Sequence, residues 1–145
     1  MDIDIKLMVE LNETSYAILE NITKNLAELG LTLSEFLILK HLDQNKKESV
    51  QKIGSVALIT SGTITFVLKK METRGYVSKV QDQKDKRIFW VKITNSGRKR
   101  FRQIFKTHLI YLDGFLLCFT KQEKREFIER LAWFKNKLKD SGGHK

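Results

Sequence analysis

Hydrophobic residues recur three or four positions apart along most of this chain, which is typical of amphipathic helices. The first such stretch covers about residues 4–29 and ends at Gly30, a residue suited to the position just after a helix. A second helix is expected to follow Thr32, because Thr32 and Glu35 have the spacing of a capping box. Its apolar face contains Phe36, Leu37, Leu39 and Leu42.

Two shorter helices follow, separated by only four residues. The first is predicted from about Val50 to Leu58, and the second begins after the break at residues 59–62 and ends at Gly75. One face of the second helix is apolar, with the helical spacing of Ile64, Val67, Leu68 and Met71. Its opposite face is predicted to carry Thr63, Thr65, Phe66, Lys69 and Lys70.

The hydrophobic period then changes from that of a helix to that of a strand. Residues 76–80 and 88–94 alternate between apolar and polar side chains, which predicts two β-strands. The segment between them, residues 81–87, is polar and basic and too short to form an element of its own. We therefore expect a β-hairpin with a basic tip.

Helical periodicity returns at about residue 95 and continues to the end of the chain, with a break near Thr120. In the last helix the spacing is 4, 3 and 4 residues between Phe127, Leu131, Phe134 and Leu138. These four residues form an apolar seam along one side of the helix, which is typical of association with another helix. The alternative is that the seam is buried inside the same chain. The first, fifth and sixth helices hold more apolar surface than a domain of roughly 60 residues covers, so we expect a dimer interface.

The excess of positive charge is confined to one region of the chain, and this points to a binding partner. The 145 residues carry a net charge of +10, and residues 60–106 alone hold 13 Lys and Arg against three acidic residues. The rest of the chain is neutral, which indicates a polyanionic partner for this segment. The chain has no apolar run near the roughly 18 residues of a membrane helix, and its start is acidic, unlike a secretory signal. We expect one cytoplasmic domain.

Signals of catalysis are absent from the sequence. It contains no phosphate-binding loop, GxGxxG, GxSxG or HExxH motif, and its three histidines stand apart from one another and from Cys118. We therefore predict no enzyme activity, no cofactor and no metal. Cys118, within Leu-Leu-Cys-Phe, is expected to be a small buried hydrophobic residue, and its role as an oxidant sensor stays open. His108 is expected to be buried or at an interface.

Duplex DNA is the polyanion that suits two short helices followed by a hairpin. The second helix of such a pair fits the major groove, roughly 12 Å wide. Thr60, Ser61 and Thr63 stand at its start, where hydroxyl groups and the helix N-terminus bind phosphates or bases. Gly62 would let the backbone approach DNA closely, or it is merely tolerated there. Lys69 and Lys70 are expected to bind phosphates.

At the hairpin tip the basic side chains are placed to reach a neighbouring minor groove, where a narrow A·T-rich stretch attracts cations. These side chains are Lys84, Lys86 and Arg87. The two acidic residues of the tip, Asp82 and Asp85, are too closely surrounded by basic residues to act as a general acid and base. We expect them to support the loop.

Four motifs occur in a fixed order over about 65 residues. They are Leu33-Ser34-Glu35-Phe36-Leu37-Ile38-Leu39, Thr60-Ser61-Gly62-Thr63-Ile64-Thr65 continuing through Leu68, Met71, Glu72, Gly75 and Val77, then Asp85-Lys86-Arg87, and Ile93-Thr94 followed by Gly97. In these motifs the chain resembles the MarR family of bacterial winged helix-turn-helix regulators. The resemblance implies a mainly α fold with a small β-hairpin wing. It divides the chain into a DNA-binding core at about 32–97 and dimerisation helices at about 4–29 and 98–139.

The resemblance also implies a function and assigns residues to it. It implies an obligate homodimer that binds a pseudo-palindromic operator and usually represses. It also implies release when a small ligand or oxidant acts near the junction of the dimerisation and DNA-binding domains. The implied DNA-binding residues of the recognition helix and its support are Ser34, Thr60, Ser61, Gly62, Thr63 and Thr65. In the wing, Asp85 is implied to orient Arg87 into the minor groove. The Thr60–Thr65 run also resembles the subgroup that senses phenolic or quinone compounds.

Two positions depart from the family pattern. Lys86 replaces the first arginine that is common in the wing, and Lys79 stands where arginine often follows the start of the strand. Both substitutions keep the positive charge but lose the planar guanidinium, so minor-groove insertion should rest on Arg87. Two other binding functions stay open, namely a sequence-tolerant architectural nucleic-acid binder and a protein–protein module with Phe66 and Trp90 as anchors.

Overall fold

A computed structural model describes residues 2–57 and 59–141 of the protein, without the side chains of Ser61 and Ser141. Leu58, the predicted end of the third helix, lies outside the described residues. The elements are α1 (Ile3–Glu28), α2 (Leu33–Gln44), β1 (Glu48–Ser49), α3 (Val50–Val56), α4 (Ser61–Thr73), β2 (Val77–Gln81), β3 (Phe89–Ile93), α5 (Asn95–Leu116) and α6 (Lys121–Ser141). The predicted mainly α fold with a β-hairpin is confirmed. We call residues 77–93 the wing.

The chain divides into two compact units, with the boundary inside α5. One unit extends to Leu109 and the second begins at Ile110. The first unit contains α1 to α4, the sheet and most of α5. No helix in the described part of the chain is long and apolar enough to cross a membrane.

The corner between α1 and α2 forms as the sequence predicts. Gly30 has a φ of 83°. Its N–H donates to the carbonyl of Ala27 at 3.0 Å, and the N–H of Leu31 donates to the carbonyl of Leu26 at 3.0 Å. This is the Schellman arrangement, which satisfies the last carbonyls of a helix. The capping box between Thr32 and Glu35 is complete in both directions.

The core of the first unit joins α2 to α1, α3, α4, the sheet and α5. It is formed by Leu26, Leu31, Phe36, Ile38, Leu39, Leu42, Ile53, Ala57, Ile64, Leu68, Met71, Val77, Val91, Phe101 and Ile104. The Phe36 ring lies 5.6 Å from that of Phe101 and 5.3 Å from that of His108. His108 is buried, and its Nδ1 lies 2.7 Å from Asn25 Oδ1 on α1. Burial lowers the pKa of His108 below its usual value.

The hairpin belongs to a three-stranded antiparallel sheet with the order β1-β3-β2. β1 pairs Glu48 with Val91 and Ser49 with Trp90. The sequence does not predict β1, because two residues are too few to show an alternating pattern. His41 Nε2 lies 3.0 Å from the Glu48 carboxylate, and this contact lowers the pKa of Glu48.

The start of α5 is fixed against the turn that follows α4. The Thr94 hydroxyl donates to the Gly75 carbonyl at 2.6 Å and accepts the N–H of Gly97 at 2.9 Å. A Cβ on Gly97 would lie 2.0 Å from the carbonyl oxygen of Tyr76. The Thr94 and Gly97 motif therefore has a packing cause, since any larger residue at position 97 would collide with backbone.

In the second unit, α6 begins with a capping box between Thr120 and Glu123. Three residues of the predicted seam, Phe127, Leu131 and Leu138, are 52–57% exposed in the single chain. The expected burial of Cys118 is wrong, because its side chain is exposed. An apolar local sequence does not bury a residue that follows the end of a helix, unless other parts of the chain cover it.

Candidate nucleic-acid interface

Helix α4 presents one face to the core and the other to solvent. Ile64, Leu68 and Met71 are buried, as the helical period predicts. The opposite face is exposed and carries Gly62, Thr63, Thr65, Phe66, Lys69 and Lys70. The predicted division of this helix is therefore confirmed, and its polar face is accessible for binding.

The start of α4 carries two exposed hydroxyl groups. Thr60 occupies the N-cap position without a side-chain cap hydrogen bond, and its Oγ1 lies 3.1 Å from Thr63 Oγ1. The side chain of Ser61 lies outside the described part of the structure. A Cβ on Gly62 would meet nothing within 4 Å, so packing among the described residues does not require glycine there.

The tip of the wing is organised by Asp82. Its Oδ1 accepts the backbone N–H groups of Lys84 and Asp85, both at 2.9 Å, and its Oδ2 accepts the indole N–H of Trp90 at 2.8 Å. These hydrogen bonds, led by that from the Asp85 N–H, lower the pKa of Asp82 to about 2. Asp82 thus supports the loop, as the sequence indicates.

Asp85 in turn holds Arg87. Its Oδ1 accepts the backbone N–H of Arg87 at 3.0 Å and the side-chain Nε–H at 3.1 Å, while its Oδ2 accepts Nη2–H at 3.0 Å. These contacts lower the pKa of Asp85 and raise that of Arg87. The Lys84 and Lys86 side chains are exposed beside this pair. The acid that the resemblance assigns to orient Arg87 is bonded to it directly.

Trp90 is the part of this arrangement that sequence reasoning missed. Besides bonding Asp82, its ring lies 4.4 Å from Lys47 Nζ, and its backbone pairs with β1. Trp90 therefore connects the tip of the wing to the base of the sheet. The sequence contains no signal for this, because the indole and its carboxylate partner stand eight residues apart across a hairpin.

Lys70 is partly engaged inside the protein. Its Nζ lies 3.6 Å from Glu35 Oε1, and Arg74 Nη1 donates to both Glu35 oxygens at 3.3 Å. Because Glu35 is only 1% exposed, water does not stabilise its charge. The two cations and the N–H of Thr32 do so instead. Arg74 also donates to the Gly30 carbonyl at 2.8 Å. This network joins the α1–α2 corner to the end of α4.

Ser34 and Lys69 are the remaining predicted residues. The Ser34 hydroxyl donates to the carbonyl of Ala57 at 3.4 Å, which connects the start of α2 to the end of α3. Lys69 is exposed on α4, beside Phe66. Lys79, the position where the family often has arginine, places its Nζ 4.7 Å from the Phe89 ring.

A groove of about 690 Å³ lies between α3, α4 and the wing. Its apolar lining includes Val50, Ile64, Ile88, Phe89 and Trp90, and Lys79 and Arg87 are its cationic members. Among the residues that the structure describes, no group of three or more His, Cys, Asp or Glu is arranged to hold a metal ion.

Sequence comparison places this chain among regulators of transcription. Residues 17–104 match the family model described as "Transcriptional regulator SarA/Rot". The chain is also similar to the HTH-type transcriptional regulator MhqR of Bacillus subtilis, with 27% identity over 127 residues that cover 88% of each protein.

Solved structures have the same fold. A MarR-like transcription regulator from Bacillus cereus matches 93% of this chain and 97% of its own with a TM-score of 0.83 and 21% identity. The transcriptional repressor CouR, solved bound to a 23-mer DNA duplex, matches 87% of this chain and 89% of its own with a TM-score of 0.75 and 20% identity. The match to the family model covers well over half of the chain. The protein therefore belongs to the SarA/Rot family and is a DNA-binding transcriptional regulator of the MarR type.

Proposed function

We propose that this protein is a sequence-specific, homodimeric repressor that binds a pseudo-palindromic operator in the cytoplasm and has no catalytic activity. The observation that carries the proposal is the Arg87 guanidinium, held by Asp85 at the tip of a wing in the same compact unit as the exposed face of α4. A recognition helix and a cationic wing tip together span adjacent major and minor grooves.

The predicted DNA-binding residues of α2, α4 and the wing tip each have a proposed task. Thr63 and Thr65 read base edges, while Thr60 and Ser61 bind phosphate at the start of α4. Gly62 allows the α4 backbone to approach DNA. The lysines of α4 and the wing tip neutralise phosphates, which makes the affinity depend on salt. Ser34 acts indirectly, because its hydroxyl holds the carbonyl of Ala57.

The proposed homodimer rests on apolar side chains at both ends of the chain. Near the start of α1, Ile3, Ile5, Leu7 and Met8 are more than half exposed, and so are three of the four residues of the α6 seam. Pairing such surfaces between two chains would remove them from water. A mass by light scattering of twice 17.0 kDa supports this, and the mass of one chain contradicts it.

Repression and its release by a ligand are also proposals. CouR, which has the same fold, is a transcriptional repressor. The groove beside α4 has a volume typical of small-molecule sites, and its apolar lining together with the cations Lys79 and Arg87 suits a phenol or quinone. A ligand bound there would compete with DNA for Arg87. Adding a phenol should then lower the affinity for the operator.

Fluorescence anisotropy tests the proposed function. The protein is titrated with a duplex from its own upstream region and with a scrambled duplex, over a salt series. We expect the first duplex to bind on the order of a thousandfold more tightly. Similar binding of both duplexes with a steep salt dependence would favour the sequence-tolerant architectural alternative.

A further inference from the structure

Phe66 is the most exposed large apolar side chain of the proposed recognition helix, at 70% exposure. By the helical period it lies opposite the buried positions Ile64 and Leu68. One turn before it stands Gly62, around which a Cβ would meet nothing within 4 Å. Lys69 and Lys70 lie one turn after it. A phenyl ring thus projects from the outward face of α4, with open space on one side and positive charge on the other.

The chemistry of the major groove limits what such a ring recognises. Base edges in this groove offer hydrogen-bond donors, acceptors and one apolar group, the 5-methyl group of thymine. A phenyl ring has no donor or acceptor for the polar edges, and its contact with a methyl group buries apolar surface of both partners. Because Gly62 has no side chain, the helix can come close enough to the groove floor for this contact.

We propose that Phe66 contacts the 5-methyl group of a thymine in the major groove and selects thymine at that operator position. The proposal rests on the proposed DNA reading by α4 and adds the base that one side chain specifies. A protein partner is disfavoured as the occupant of this face, because the lysines of α4 make the surroundings of Phe66 positive and complementary to DNA.

The test removes a methyl group from the DNA and the ring from the protein. Wild-type protein first selects a duplex from a randomised pool, and each thymine of that duplex is then replaced singly by deoxyuridine, which lacks only the methyl group. At the contacted thymine we expect about a fourfold loss of affinity, the effect of burying one methyl-sized group. Phe66→Ala should bind the thymine and deoxyuridine duplexes equally, whereas Phe66→Leu should keep part of the difference.

Thr63→Ala is the matched control, since it changes a neighbouring polar contact and should keep the deoxyuridine effect. Thermal melting of each variant by circular dichroism confirms that it is folded. Two results would overturn the proposal. The first is that Phe66→Ala binds the selected duplex as tightly as the wild type does. The second is that Phe66→Ala binds this duplex more weakly although no deoxyuridine replacement affects the wild type, which would indicate that the ring stacks on bases. If the wild-type protein enriches no sequence from the randomised pool, sequence-specific binding itself is contradicted, and so is the selection of thymine.

Discussion

Asp85 accepts two side-chain hydrogen bonds from Arg87, at 3.1 and 3.0 Å, although the Arg87 side chain is 90% exposed. An exposed arginine ordinarily samples many rotamers and loses that freedom when it binds. Here the guanidinium is oriented in advance at the tip of the wing. The wing of this regulator therefore presents a preorganised cation, and the other two cations of the tip, Lys84 and Lys86, are exposed beside it.

Removing Arg87 should weaken operator binding strongly. We expect Arg87→Ala to lower the affinity for the operator about tenfold or more, because the charge-assisted hydrogen bonds from the guanidinium to DNA are lost. Arg87→Lys should recover only part of it, since lysine has no planar fork. Anisotropy at fixed salt measures both. Lys40→Ala removes one positive charge from the exposed side of α2, and an equal loss in this control would show that net charge alone matters.

Asp82→Ala should loosen the wing tip without unfolding the protein. The variant loses the acceptor for the N–H groups of Lys84 and Asp85, so these amides should exchange hydrogen faster. Because the folded pKa of Asp82 is about 2, below its value in an unfolded chain, this stabilisation is complete above about pH 4. It is lost as the pH falls toward 2. Exchange rates that match the wild type at pH 7 would contradict this role.

Trp90→Phe offers a milder version of the same test. It keeps an aromatic ring in the sheet but removes the indole donor to Asp82. Hydrogen exchange should therefore become faster only at the backbone amides of the wing tip. An equal effect throughout the sheet would instead indicate a packing defect.

Gly97→Ala and Gly62→Ala should have opposite effects on stability. A methyl group at position 97 would collide with the backbone of Tyr76, and we expect the free energy of unfolding to fall by about 2 kcal/mol or more. At position 62 the methyl group meets open space in α4, so we expect a gain of up to about 1 kcal/mol. Urea denaturation measures both values.

The same Gly62→Ala protein tests the close approach of α4 to DNA. A stabilised variant with reduced operator affinity is the expected result. Unchanged affinity would mean that glycine is merely tolerated at this position.

Glu35→Ala should destabilise the first unit by about 3 kcal/mol. The substitution leaves Arg74 without its buried carboxylate and also removes half of the capping box with Thr32. Glu35→Gln keeps the ability to cap but loses the charge, and its loss of stability should be smaller. Urea denaturation of the two variants separates the contributions. Equal stability of Glu35→Ala and wild type would rule out a stabilising role for the network.

His108 should make stability depend on pH near neutrality. Since burial lowers its pKa below the usual 6.5, the unfolded chain binds a proton more readily than the folded one. The free energy of unfolding should therefore fall as the pH drops below about 6.5, and level off below the folded pKa. Urea denaturation between pH 7.5 and 5 should show this decline in the wild type and a smaller one in His108→Gln. Parallel curves for the two proteins would contradict it.

Patterns that depend on near neighbours were predictable from the sequence. The Gly30 turn and the Thr32 capping box follow from contacts between residues at most five positions apart. The α4 stripe follows from a side-chain period that repeats within eight residues. The motif at Asp85 and Arg87 belongs to the same class, because the two residues stand two positions apart. The proposed interface could be located in the sequence for this reason, since recognition helix and wing tip are both local elements.

Contacts between distant parts of the chain were not predictable in this way. β1 exists only because β3 pairs with it, about forty residues later. Arg74 and Glu35 are 39 positions apart, and the engagement of Lys70 by Glu35 followed from neither residue's local sequence. Cys118 has an apolar sequence context and is nevertheless exposed.

The sequence by itself determined which segments are helix and which form the hairpin, where several of them end, and where the positive charge is concentrated. These properties arise from backbone hydrogen bonds, side-chain period and composition, all of which act over a few residues. The tertiary structure alone decided that Trp90 anchors Asp82, that Asn25 meets His108, and that Cys118 is left exposed. Those relationships depend on which surfaces pack together, because burial and long-range pairing belong to the folded chain as a whole.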